Sequence, residues 1–254
     1  MPSASTGRSA STTSSIATPP QTHPNGGTQI GWPIFQTARP SYRNLEMKIA
    51  LFGATGRTGG LLMERALSAG HEVMVLVRDP SKLTRPQEGL QVITGDARGA
   101  SAVADTVQGT DVVISALGSG GDTVTLFGRN VMAAMERLGV RRIVSLVGAS
   151  VVMPGDLPSM SLRMLRLITR VFGGTMLKDG EAHARELAAS HLEYTLVRPP
   201  RLTDGVASGR IQHGLTLKLG PTSSISRADL AAFLLEVAVE GRYIRAAPMV
   251  AGLH

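Results

Sequence analysis

The chain contains no cysteine. A disulfide framework, a thiolate nucleophile and any Cys-ligated zinc or iron–sulfur site are therefore excluded, and six histidines remain as soft ligands, so no metal site is expected. Aromatic residues make up only 4% of the sequence, too few for the stacking platforms that hold single-stranded nucleic acid. No window reaches the ~18 consecutive apolar residues of a membrane span, so no transmembrane segment is expected. Lysine stands only at positions 48, 82, 178 and 218. The 26 Lys and Arg outnumber the 19 Asp and Glu to give +7, but the arginines are scattered and form no five-residue basic block. A phosphate-backbone footprint is missing, and no nucleic-acid partner is expected. What is present, 254 residues that are 43% hydrophobic with 29 glycines, suits one domain of ordinary size or slightly more.

Residues 1–46 differ in kind from the rest. Ser, Thr, Pro and Gly dominate, and Arg8, Arg39 and Arg43 face the single acid Glu46. Such a stretch buries too little apolar surface to order itself. Pro19, Pro20, Pro24, Pro33 and Pro40 would interrupt the amphipathic helix of a transit peptide, and there is no apolar core of a secretion signal. The segment is expected to be a disordered extension, or the product of a misassigned start, with a targeting segment as the lesser alternative, and the protein to be cytoplasmic.

From Met47 onward, apolar runs alternate with segments of helical periodicity, the pattern of a doubly wound α/β domain with a parallel sheet, expected here over residues 47–254. Strands are expected at Met47–Phe52, Glu72–Val77, Gln91–Thr94, Asp111–Ala116, Arg142–Val147 and Tyr194–Val197. Helices are expected after Gly59 and over Val124–Leu138, Lys178–Ser190 and a late segment opened by Ser226 and Asp229 with capping-box spacing.

The informative motif is Gly53-Ala-Thr-Gly56-Arg-Thr-Gly59, at the junction of the first strand and first helix. Gly53 lets the chain turn sharply, Gly56 removes a side chain where a pyrophosphate approaches the backbone, and Gly59 lets helix and strand pack closely. The helix N-terminus then favours an anion. Gly53, Thr55, Gly56, Arg57, Thr58 and Gly59 are the cofactor-binding candidates of this turn. At the end of the second strand, Arg78 and Lys82 offer cations to a ribose 2′-phosphate, which favours NADP over NAD; Asp79 keeps the NAD alternative open. Asp96 and Ala97, after the third strand, are placed to meet the adenine edge, although Asp96 also suits a helix cap. Leu117, Gly118 and Ser119 border the pyrophosphate and nicotinamide ribose.

The ordered set Gly53–Gly59, Val77–Leu83, Gly95-Asp96, Leu192–Pro200 and Ile225–Leu230 resembles the atypical short-chain dehydrogenase/reductase group. Within that group it is most similar to the NAD(P)H-binding flavin reductase/biliverdin reductase B type and its NmrA-like relatives. The resemblance spans most of Met47 to His254 and implies a Rossmann-type sheet, NADPH as cofactor and a shallow substrate site over the nicotinamide, in a small C-terminal region. Pro199, Pro200 and Arg201 would lie beside that ring. Two departures bear on the chemistry. The Tyr-x-x-x-Lys pair of carbonyl-reducing members is absent, and the Ser expected after the fifth strand is replaced in Val147-Gly148-Ala149, leaving Ser150 as the nearest hydroxyl. The histidines that the flavin/biliverdin type carries at two substrate-side positions appear here as Gly180 and Arg201, which weighs against a tetrapyrrole substrate.

Hydride reduction of a carbonyl needs a positioned acid, a contribution of ~10²–10⁴ in rate, whereas a flavin or quinone delocalises the charge and takes its proton from water. The expectation is hydride transfer from NADP(H) to such a small-molecule acceptor, with Ser150 and Arg201 as substrate contacts and no catalytic acid assigned. A non-catalytic redox sensor is the alternative, and an epimerase a weaker third. Lys178 and His183 face either the substrate or solvent. Residues 157–172 read as an inserted amphipathic helix carrying Arg163, Arg166 and Arg170: a lid, a dimer face, a membrane-adsorbing element or a core-packed helix. A monomer or homodimer is expected.

Overall fold

A computed structural model describes residues 46–83, 87–118, 121–154, 156, 160–220 and 222–253. The expected extension at 1–46 lies outside these residues except for Glu46, as does Ser119.

Six strands form one parallel sheet: β1 (Lys48–Phe52), β2 (Glu72–Val77), β3 (Leu90–Thr94), β4 (Val112–Ser115), β5 (Arg142–Leu146) and β6 (Glu193–Val197). Their order is β3-β2-β1-β4-β5-β6, so the winding reverses between β1 and β4. That reversal opens a crevice beyond the carboxyl ends of the two central strands, the place where such sheets bind ligands. β1 and β4 read as unbroken apolar runs because both of their faces are covered.

Alternation along β1 divides the core. Ile49 and Leu51 pack with Leu62 of α1 (Arg57–Ser68) and with Leu230, Phe233 and Leu234 of α6 (Arg227–Val239). Ala50 and Phe52 face Val103 and Val107 of α2 (Ala100–Val107), Phe127 and Val131 of α3 (Thr123–Leu138) and Leu187 of α5 (Gly174–Ala189). Phe52 and Phe127 meet at a 54° tilt with ring centroids 4.6 Å apart. α4 (Met160–Phe172) precedes α5, and four short strands complete the chain: β7 (Arg201–Thr203), β8 (Ile211–Gly214), β9 (Ser224–Ser226) and β10 (Met249–Gly252). They pair as β7 with β9 and β8 with β10, apart from the main sheet.

The six main strands and five of the six helices follow the sequence pattern. The short helix α2 does not show in it: residues 100–107 carry few large apolar groups. Asp96, open to a capping role from sequence, does not cap α2; the cap position is Gly99, and the Asp96 side chain instead accepts the Arg98 N–H at 2.8 Å. The Ser226 expectation holds, its hydroxyl accepting the Asp229 N–H at 2.9 Å. The Asp229 carboxylate accepts hydrogen bonds from Gly209 N–H and from the Ser208 and Ser226 hydroxyls, which hold it ionised against the cost of burial.

Candidate functional site

The site is built at the carboxyl edge of the sheet, starting from the turn between β1 and α1. Gly53 sits at φ +90°, and a Cβ there would lie 2.8 Å from the carbonyl carbon and oxygen of Ala116, just past β4. A Cβ on Gly59 would lie 2.0 Å from the Gly53 carbonyl oxygen, and one on Gly56 3.2 Å from the same atom. All three approaches are to main chain, which cannot swing aside as a flexible side chain can. The turn is closed by Gly56 N–H donating to Gly53 O at 3.0 Å. Gly56 is the N-cap of α1, no side chain caps the helix, and its first turn holds no acid. The positive end of the helix dipole therefore opens on the crevice beside an exposed Thr55 and Arg57.

The N-terminus of α3, entered from the β4 edge of the same crevice, is treated differently. Asp179 of α5 accepts the N–H groups of Val124 at 3.1 Å and Thr125 at 2.8 Å, and the Thr125 hydroxyl at 2.6 Å. A carboxylate of the chain thus fills one helix terminus while the terminus above the glycine turn is left open. Sequence reading missed Asp179, because the groups it serves lie 54 and 55 residues away.

At the β2 tip, Arg78 is exposed and, among the described residues, has no ion-pair partner. Its neighbour Asp79 accepts the Ser81 hydroxyl at 2.6 Å and the Ser81 N–H at 3.1 Å, bonds that hold its carboxyl below the ordinary range. This closes the single 3₁₀ turn Pro80–Lys82, which leaves Lys82 exposed beside Arg78. Beyond β3, Gly95 N–H reaches back to Val77 O at 2.9 Å, which draws Asp96 and Ala97 to the same edge. Leu117 and Gly118 follow β4 there, Leu117 half-buried and Gly118 exposed.

Arg57 pairs at 3.3 Å with Asp204, which also pairs at 2.7 Å with Arg227. Asp204 thereby joins the first residues of α1 and α6 through the loop after β7.

The segments after β5 and β6 run together, with Val147 N–H to Val197 O at 2.9 Å and Ala149 N–H to Pro199 O at 3.0 Å. This brings Ser150 and Pro199, both buried, next to the exposed Arg201. One buried ion pair fastens the segment. The Arg198 side chain, 2% exposed, gives its two terminal nitrogens to Asp156 at 2.6 and 2.7 Å and donates also to Val151 O and Ala247 O. Asp156 accepts the Met153 N–H at 2.8 Å as well. Burial opposes its charge, and these bonds prevail to hold the carboxyl below its ordinary value. From sequence, Arg198 reads only as a strand-stopping residue before Pro199.

His183 faces neither substrate nor solvent. It is fully buried in α5, its Nε2 2.9 Å from the Ser145 hydroxyl, and a Cβ on Gly128 would lie 2.4 Å from its Nδ1. Burial pushes its pKa down to about 4, outweighing nearby Asp179 and Glu186, so the ring is neutral. Lys178 is exposed on a groove between α4 and α5. Tyr194 is buried in β6, and Tyr243 is bonded through its hydroxyl to His213 at 2.6 Å. Among the described residues there is no cluster suited to a metal ion.

The three glycines and the uncapped helix fit a dinucleotide diphosphate: a side chain at Gly53 or Gly59 would collide with main chain and distort the turn, and one at Gly56 would be tight. Comparison with known proteins agrees. Residues 53–240 match the NAD(P)H-binding family. An uncharacterised chloroplastic protein of Arabidopsis thaliana is 32% identical over 208 residues, covering 76% of this chain and 71% of that protein. The structure of ChuY, an anaerobilin reductase from Escherichia coli O157:H7, superposes with a TM-score of 0.69 at 27% identity, covering 80% of this chain and 96% of that one. The oxidoreductase YlbE from Lactococcus lactis shares the fold, with a TM-score of 0.67 at 20% identity over 82% and 91% of the two chains.

Proposed function

Because the chain belongs to the NAD(P)H-binding family, we propose that it is an NADPH-dependent reductase that passes a hydride to a flavin or quinone-like acceptor. The observation that carries this reading is the open α1 terminus above a turn in which Gly53 and Gly59 leave no room for a side chain and Gly56 little. The backbone at Gly56, Arg57 and Thr58 would hold the diphosphate. Arg78 and Lys82 would take the 2′-phosphate, and NADP is favoured over NAD because Asp79, the group suited to ribose hydroxyls, is committed to Ser81. Asp96, Ala97, Leu117 and Gly118 would line the adenosine and ribose, with Ser150, Pro199 and Arg201 on the nicotinamide and substrate side.

NADPH, when bound, supplies a hydride. Among the described residues, neither the tyrosines nor His183 is free to give a proton with it: Tyr194 is enclosed in β6, Tyr243 is tied to His213, and His183 is sealed against Ser145. Acceptors that draw their proton from water are therefore preferred to ketones. ChuY's tetrapyrrole chemistry is not carried over, since Gly180 and Arg201 stand where the resemblance leads one to expect histidines. The same lack of an available acid favours a second reading, a nucleotide-binding redox sensor without turnover. Titration with NADPH and NADH followed by a panel of free flavins, quinones and ketones tests both. Oxidation of NADPH by flavin or quinone but not by ketones supports the reductase. Tight binding without turnover supports the sensor, and no binding of either nucleotide refutes both.

A further inference from the structure

Helix α4 has a face that nothing among the described residues covers. At about 100° per residue, Met160, Met164, Leu167, Ile168 and Val171 fall within roughly 100° of the helix circumference. All five are exposed, between 49% and 76%, which rules out the core-packed reading for this face. On one flank of the stripe stand Arg163, Arg166 and Arg170, and the helix contains no acid. Arg166 is paired with Glu181 at 2.7 Å. Arg163 and Arg170 have no ion-pair partner among the described residues. Beside them a groove of about 600 Å³ between α4 and α5 is lined by Arg166, Arg170, Thr175 and Lys178, with Glu181 as its one acid. Met176, just below, is also exposed.

We propose that α4 is a docking face for an anionic lipid surface, its apolar stripe lying among the acyl chains and its arginine flank, with the neighbouring groove, holding phosphate headgroups. Three observations select this occupant over a second copy of the chain. The charge on the flank is of one sign, so an antiparallel two-fold copy would set arginine against arginine, whereas an anionic surface complements it. The stripe is small: ~20 Å of helix about 10 Å wide offers ~200 Å², against the ~800 Å² per partner of a stable protein interface. The residues are mainly methionine and leucine-like side chains next to arginines with long aliphatic stems, which reach from acyl depth to headgroup level. The inference does not depend on which acceptor is reduced.

The test is co-sedimentation of the full chain with phosphatidylcholine vesicles, with and without about one third phosphatidylglycerol. Binding is expected with the anionic vesicles, little with the neutral ones, and less as salt rises. Met164→Glu/Leu167→Glu should abolish it, and Arg163→Gln/Arg170→Gln should lower the partition coefficient roughly thirty-fold, both with unchanged thermal unfolding since all four positions are exposed. No binding to anionic vesicles, equal binding to neutral ones, or full binding by both variants overturns the proposal. So does a wild-type dimer in gel filtration that Met164→Glu/Leu167→Glu converts to monomer, which would assign the face to a second copy.

Discussion

Replacing Asp156 by Asn tests the account of the segment that follows β5. The substitution keeps the shape of the side chain and removes its charge. Arg198, 2% exposed, would then hold its guanidinium inside the protein with two carbonyls, Val151 O and Ala247 O, and no anion. Breaking a buried pair from one side typically costs about 3–5 kcal/mol, because the remaining charge is neither solvated nor neutralised. For a folded region of this size that corresponds to a fall in Tm of roughly 6–20 °C. Arg198→Met should also destabilise, by leaving the same two carbonyls without a donor. The double variant leaves no buried unpaired charge and should lose less than the sum of the singles, by about 2 kcal/mol. The pH dependence has a definite sign. The Asp156 carboxyl is depressed in the fold, so its contribution is complete above the usual carboxylate range near 4 and is lost as pH falls through the lower folded value. Urea unfolding of the four proteins at pH 7 and at acid pH supplies the measurement. A cost below about 1 kcal/mol for Asp156→Asn, or strict additivity in the double variant, refutes the view that this pair is a closed, mutually dependent unit.

Two other outcomes follow from the same geometry. Arg78→Ala should weaken NADPH binding by about ten- to a hundredfold and leave NADH binding nearly unchanged, read by fluorescence titration; equal losses would remove the basis for the NADP preference. His183 is neutral in the fold down to about pH 4 but titrates near 6.5 once unfolded, so the native state should lose about 3 kcal/mol as pH falls across that window. His183→Gln should flatten this slope in stability measurements, and an unchanged slope would mean another group is responsible.

What was legible in the sequence shares a physical trait: it is set by neighbours along the chain. The glycine turn is readable because Gly53, Gly56 and Gly59 fall within seven residues, although the neighbour that crowds Gly53 is Ala116 across the sheet, and the Ser226–Asp229 cap because its partners lie three apart. The β1, β2, β4, β5 and β6 runs are readable because their largely covered faces need apolar groups, whereas the edge strand β3 is exposed or half-buried throughout. Arg198 and Asp156 lie 42 residues apart, and nothing near either announces the other. Asp179 serves a helix start 54 and 55 residues back. The strands β7 to β10 are three or four residues each and pair only across long intervals, too short for any periodicity to register. For α4, the amphipathic pattern was plain, but which way its apolar side points is settled by the packing of the rest of the molecule. His183 reads from sequence as facing either substrate or solvent, because its burial depends on a glycine in another helix, Gly128.

Arg78, Asp79 and Lys82 all stand on an exposed surface turn, while Gly53 and Gly59 are wedged against main chain. On the proposed reading, coenzyme choice would rest with the first group and coenzyme admission with the second. Exchanging one nicotinamide currency for the other would then mean editing side chains that have no interior packing to disturb.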